Sequence, residues 1–197
     1  MVVTHVDGRR RMTVRGPETR PTSADCPAHG EWIAIRFKLG TFMPTIPIGV
    51  IRDRRDVDLP AVTKAGFWLD GAAWEYPSYE NAETFVERLA RRGLIARESI
   101  VEAVVHGERP DLSVRSAQRR FRLATGLTYG AYQQIERARH ATNLLTRGAA
   151  ILDVVHDAGY FDQAHLTRSV KRLIGQTPGQ ILRGETQLSF LYKTHRS

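Results

Sequence analysis

The stretch from Ala158 to Gly175 restricts the folds open to this chain more than any other part of the sequence. A glycine turn is followed by Asp162, whose carboxylate can accept the free backbone N–H groups at the start of a helix. Gly175 ends that helix, because glycine adopts the left-handed conformation at a helix C-terminus without strain. The apolar residues recur at the spacing of one helical face and are Leu166, Val170, Leu173 and Ile174. The stretch therefore predicts a short helix with one buried face.

The opposite face of this predicted helix carries side chains that donate hydrogen bonds. They are Gln163, His165, Thr167, Arg168, Lys171 and Arg172. A short, donor-rich helix set at an angle by a glycine turn fits the major groove of DNA, where each base pair presents its own pattern of donors and acceptors. We therefore expect this helix to read a groove.

A second segment of the same design, residues 113–126, begins at a capping serine and ends at a glycine. Its Arg119 occupies the place that Arg168 has in the later segment, 49 residues on. The predicted helix between them, residues 128–147, would be roughly 30 Å long at ~1.5 Å per residue. Two helices that read one face of DNA must lie about 34 Å apart. The sequence therefore predicts two helix-turn-helix units, residues 97–125 and residues 150–175, with a helical spacer.

The positive charge of the chain is concentrated around these units. The net charge is +8, and residues 111–197 hold 13 basic and 6 acidic side chains. A basic segment attracts nucleic acid because its cations bind phosphates and release counterions. Many basic domains have no nucleic-acid partner, so this charge supports the motif and does not replace it.

Several protein classes are excluded by composition. No apolar run reaches the roughly 18 residues needed to cross a membrane. No apolar segment follows the basic N-terminal residues as in a secretory signal, so we expect a cytoplasmic protein. The single cysteine, Cys26, excludes an internal disulfide framework and a multi-cysteine zinc site.

The remaining pattern predicts an α+β chain that is mainly α-helical with a small β-rich N-terminal part. Residues 32–39 alternate between apolar and polar side chains, as in a half-buried strand. Residues 48–51 suggest another short strand, residues 52–58 a charged loop, and the first ten residues a mobile end. The expected domains are a β-rich region at 1–80, a helical domain at 81–190 and a tail at 191–197.

Three large aromatic residues, Phe67, Trp68 and Trp74, lie close together in the sequence around an Asp-Gly pair. They could form the floor of a small ligand pocket. We favour packing between the strands and the following helices, because large aromatic side chains mostly serve burial.

From about residue 83 to 183 the sequence resembles the DNA-binding domain of AraC/XylS-type transcription regulators. The matching runs are LSVRSAQRRFRLATGLT at 112–128, RARHATNLL at 137–145 and ILDVVHDAGYFDQAHLTRSVKRLIGQTPGQI at 151–181. The resemblance implies a seven-helix domain with tandem helix-turn-helix units that bind two adjacent major-groove segments of a promoter. It also implies that the region before residue 80 is a truncated sensory barrel.

Carried over by position, the resemblance assigns base reading to two recognition helices. The first, about 113–125, would read bases with Arg115, Gln118 and Arg119, and the second, about 162–174, with Gln163, Ala164, Thr167 and Arg168. Arg can bind guanine and Gln can bind adenine through two hydrogen bonds, whereas Ala164 can contact only a thymine methyl group. The expected phosphate contacts are Arg122, Thr128, Lys171 and His165, although His165 could also lie simply at the helix surface.

The expected partner is double-stranded promoter DNA, with RNA polymerase as a second candidate partner of an activator. A small-molecule effector stays open, as does the choice between monomer and homodimer. We expect no cofactor, no metal, no membrane contact and no enzymatic activity.

Two other functions compete with this one. DNA-repair methyltransferases share the helical architecture, but they need a cysteine cluster to hold zinc and accept a methyl group, and this chain has Cys26 alone. A protein-interaction module is the other alternative, and the absence of salt-dependent DNA binding would favour it.

Overall fold

The structure is a computed structural model that describes residues 1–22, 29–53, 56–108 and 110–184. These residues form two compact units. The first contains most of the chain up to Tyr129, and the second contains Gly130 onward together with Thr19–Thr22. Domain limits at residues 80 and 190 stay a prediction, and the predicted tail at 191–197 lies outside the described residues.

The first unit holds the strands. Those of the described residues are β1 (Val2–Val6), β2 (Arg9–Val14), β3 (Glu31–Ala34), β4 (Thr41–Phe42), β5 (Val57–Leu59), β6 (Ala61–Thr63), β7 (Gly66–Leu69), β8 (Ala72–Glu75) and β9 (Ala96–Arg97). They form an antiparallel sheet in the order β3-β1-β2-β5, a pair β4-β9 and a sheet in the order β6-β7-β8. In the first sheet Val2 lies opposite both Thr13 and Ala34.

Two Asp-Gly turns close the hairpins β1–β2 and β7–β8. Asp7 and Gly8 have φ values of 50° and 71°, and Asp70 and Gly71 have 49° and 74°. A two-residue hairpin turn of this kind needs two positive φ values, which Asp and Gly tolerate. The Asp-Gly pair near the N-terminus is therefore the signal that could have located β1 and β2.

The expectation of a mobile N-terminal end is wrong. Val2 and Val3 are buried, and the Tyr76 hydroxyl donates to the backbone carbonyl of Arg10 at 3.0 Å. Apolar burial and pairing on both sides of β1 hold this segment in place.

Other strand limits also differ from the prediction. The strand predicted at 32–39 ends at Ala34, and residues 48–51 form turns and a bend rather than a strand. Part of the predicted loop at 52–58 is β5, in which Asp58 accepts a hydrogen bond from the Thr13 hydroxyl at 2.6 Å. These pairings join residues far apart in sequence, so local alternation does not reveal them.

Packing is confirmed for two of the three aromatic residues. Phe67 and Trp74 are buried and contact Phe85 edge-on, with ring centroids 6.3 and 5.7 Å apart. Trp68 is 46% exposed, because alternate residues of β7 point to opposite faces of the sheet.

Seven helices lie in the described residues and confirm the α+β class: α1 (Ala82–Arg91), α2 (Ser99–Val105), α3 (Val114–Thr125), α4 (Tyr129–Thr146), α5 (Ile151–Asp157), α6 (Gln163–Ile174) and α7 (Pro178–Arg183). Helices α1 to α3 belong to the first unit and α5 to α7 to the second. The core of the second unit includes Ala138, Ala141, Leu145, Val154, Leu166, Val170 and Ile181.

Candidate nucleic-acid interface

Helix α6 forms as its sequence predicts. The Asp162 carboxylate caps it by accepting the His165 backbone N–H at 2.6 Å. Gly175 ends it in the left-handed conformation with a φ of 91°. The four residues of the predicted apolar stripe are all buried: Leu166, Val170, Leu173 and Ile174. The rest of the helix is consequently left to face solvent or a partner.

Helix α3 has the same construction. The Ser113 hydroxyl accepts the Ser116 backbone N–H at 3.2 Å, and Gly126 has a φ of 71°. Pairs of residues 49 apart share their roles as cap, buried position or terminal glycine: Ser113 and Asp162, Ala117 and Leu166, Phe121 and Val170, Ala124 and Leu173, Gly126 and Gly175. The two helices therefore repeat one design residue by residue.

A short helix precedes each of them. Helices α2 and α5 have seven residues each and contact α3 and α6, respectively. In the turn before α6, the buried Tyr160 donates through its backbone N–H to Val155 and through its hydroxyl to Ser169. This aromatic anchor fixes the angle at which α6 leaves the turn.

The first set of candidate residues forms one exposed face of α3. Arg115, Gln118, Arg119 and Arg122 are spaced i, i+3, i+4 and i+7, and all four are exposed. None of these side chains binds another described residue. Arg120 differs, because its Nε binds the Glu98 carboxylate at 3.0 Å. The four candidates are thus polar side chains of α3 that remain available to a ligand.

The second set forms the corresponding face of α6. Ala164, Thr167, Arg168 and Lys171 have the same spacing and lie 49 residues after the four residues of α3. Ala164, Arg168 and Lys171 are exposed, as is Gln163 at the start of the helix, whereas Thr167 is half-buried. Arg172 donates to the Gln134 side chain at 2.8 Å and is held away from this face.

His165 is partly committed within the protein. Its Nδ1 accepts the Phe161 backbone N–H at 3.4 Å, and its ring packs edge-on against Tyr160 at 5.1 Å. In the neutral ring this leaves the proton on Nε2, the one nitrogen that can still donate to a phosphate. Thr128 lies exposed just before α4.

Two exposed apolar residues were not among the predicted site residues. Val114 is 74% exposed because it begins its helix and has no preceding turn to cover it. The 49-residue repeat pairs it with Gln163 and could have identified it. Phe161, immediately before the cap of α6, is 90% exposed.

Charge on both helices favours a polyanion. Helices α3 and α6 contain no Asp or Glu, while α3 carries four arginines and α6 carries Arg168, Lys171 and Arg172.

Two features are absent from residues 1–22, 29–53, 56–108 and 110–184. No three His, Cys, Asp or Glu side chains there lie close enough together to hold a metal ion. No helix in that part of the chain is long and apolar enough to cross a membrane. Cys26, on which the methyltransferase alternative depends, lies outside the described residues.

One comparison with known proteins gives a match in this part of the chain. A family model described as a helix-turn-helix domain, of the AraC type, matches residues 108–184, which include α3 to α7. No curated protein and no solved structure gives a significant match. All the candidate residues of α3 and α6 lie inside the matched stretch. Residues 108–184 therefore form an AraC-type helix-turn-helix domain, which supports a role for the chain in DNA-binding transcription regulation.

Proposed function

We propose that the chain binds a promoter through two helix-turn-helix units, α2–α3 and α5–α6. In this proposal the recognition helices, about 113–125 and 162–174, enter successive major-groove segments. The observation that carries the proposal is the repetition of one exposed, acid-free face 49 residues apart. A single such face would be expected on many surface helices, whereas a repeated face inside a DNA-binding family has a ready explanation in two half-sites.

Base reading is proposed for the exposed residues of each face. Arg115, Arg119 and Arg168 suit guanine, because a guanidinium can donate to O6 and N7 together. Gln118 and Gln163 suit adenine, and Thr167 can bind several bases. Ala164 has no hydrogen-bonding group and suits a thymine methyl.

Phosphate binding is proposed for residues near the same faces. Arg122 and Lys171 lie one turn beyond Arg119 and Arg168 and hold the free cations needed for backbone contacts. His165 can donate through Nε2, and Thr128 lies before α4. Such contacts fix the register of the protein on the duplex and carry no sequence information of their own.

Because one chain carries both helix-turn-helix units, a monomer can occupy a complete two-part DNA site in this proposal. A homodimer would occupy two such sites. RNA polymerase is the proposed second partner when the chain acts as an activator. The β-rich part of the first unit is the proposed place for an effector, if the regulator takes one.

Selection of bound duplexes from random DNA tests the proposal. We expect a two-part site whose halves lie about one helical turn apart, centre to centre. Affinity for the selected site should fall linearly with salt on logarithmic axes. Enrichment of only one short segment would contradict DNA binding by two recognition helices. Enrichment of no sequence would favour a protein-interaction module.

A further inference from the structure

Phe161 is the most exposed large apolar side chain of the described residues, at 90% exposure. A single exposed apolar residue is ordinary on a protein surface, so exposure alone assigns nothing to it. Its position is more informative, because it directly precedes Asp162, the cap of α6.

The backbone at Phe161 is held on both sides. Its N–H donates to His165 Nδ1 at 3.4 Å. Tyr160 before it is buried, and Asp162 after it is bound to the first turn of α6 at 2.6 Å. The phenyl ring is thus carried by an ordered turn, and ordering lowers the entropic cost of using it in a contact.

The neighbours of Phe161 are the residues proposed to read bases. Gln163 and Ala164 follow within three positions and are exposed. The N-terminal residues of a recognition helix are those that contact base edges. A phenyl ring cannot exchange hydrogen bonds with a base, and the apolar group that the major groove offers is the C5-methyl of thymine.

We propose that Phe161 is a specificity-determining residue that contacts a thymine methyl group in the half-site read by α6. This inference rests on the proposed function. It predicts a thymine preference in addition to the one proposed for Ala164, and one that depends on the phenyl ring of Phe161. The first unit has an apolar residue at the corresponding position, Leu112, which is 43% exposed and 49 residues earlier.

Deoxyuridine provides a direct test, because it lacks the methyl group of thymidine and keeps its base pairing. Each thymine of the selected α6 half-site is replaced in turn by uracil, and affinity is measured for the wild type and for Phe161→Ala. At one position uracil should weaken wild-type binding by roughly fourfold, the effect of one buried methyl group. The same replacement should leave the affinity of Phe161→Ala unchanged. Leu152→Ala is the matched control, since Leu152 is also exposed in the second unit, at 72%, and should keep the wild-type response to uracil.

The other outcomes overturn the inference. A selected half-site without thymine, or Phe161→Ala with undiminished sensitivity to uracil, removes the methyl contact. If Phe161→Ala weakens binding to the thymine duplex and to the uracil duplex by the same factor, the residue contacts a sugar or phosphate instead. If Phe161→Ala binds DNA as tightly as the wild type but changes transcription, the residue contacts a protein partner. Failure of the proposed function would give a different result. The wild-type protein would then select no site and would show no salt-dependent binding to DNA.

Discussion

Arg119 and Arg168 are the residues whose replacement separates base reading from simple charge attraction. Both are exposed, bind no other described residue and lie at the same place in the two repeats. Arg119→Ala and Arg168→Ala should each cost roughly 1–3 kcal/mol of binding free energy and relax the preference at one base pair. The relaxed base pairs should lie in different half-sites. Affinities for duplexes with single base changes would measure both effects.

Arg172→Ala is the matched control for this pair. Its guanidinium binds the Gln134 side chain at 2.8 Å, so its loss should leave base preference intact. Uniform weakening on all duplexes by Arg168→Ala would show that this arginine contacts phosphate and not base.

At the residue scale the sequence predicts helix caps and buried stripes better than the exposure of apolar residues at a helix start. The caps Ser113 and Asp162 are identifiable because a short polar side chain before an apolar stripe has a definite role. The exposure of Val114 and Phe161 was not predicted, because periodicity assigns a face but not the coverage of a helix end. Only the three-dimensional environment of the first turn determines that coverage.

At the scale of elements, Glu98 joins the β-rich part of the first unit to helix α3. Its backbone N–H donates to the Gly40 carbonyl at 2.9 Å, next to the pair β4–β9. Its carboxylate caps α2 through the Ile100 N–H at 3.4 Å and binds Arg120 of α3 at 3.0 Å. One side chain thus ties α2 and α3 together.

Glu98→Ala should lower the free energy of unfolding by about 1 kcal/mol through loss of the cap. The Arg120 pair adds little, because that arginine is half exposed. Base preference should relax in the α3 half-site and stay unchanged in the α6 half-site. Urea unfolding and single-base duplexes measure the two effects. Glu102→Ala, which breaks an exposed pair with Arg97, is the control, and equal effects of the two substitutions would contradict this role for Glu98.

The elements differ in how far sequence alone predicts them. Helices α3 and α6 follow from local signals within about a dozen residues, namely a cap, an apolar stripe and a terminal glycine. Strands β3 and β5 depend on partners in β1 and β2 that lie far away in sequence. Their limits are set by pairing, and the alternation in residues 32–39 therefore predicted too long a strand.

At the scale of the whole molecule, the excess positive charge predicts strong dependence of binding on salt. Each phosphate contact contributes about −0.9 to the slope of log affinity against log salt concentration. Arg122→Ala and Lys171→Ala should each reduce the magnitude of that slope by about one and weaken binding evenly across sequences. Binding isotherms at several salt concentrations would measure this. If either substitution changed the preferred base and left the salt slope unchanged, that residue would contact a base and not a phosphate.

The central claim is that two recognition helices of one chain read two half-sites, and its most direct test is a change of spacing. An insertion of about 5 bp between the halves of the selected site rotates one half to the other side of the duplex while leaving both sequences intact. The account predicts that affinity falls to that of a single half-site and that Arg168→Ala then has little further effect. Unchanged affinity for the duplex with the insertion would contradict it.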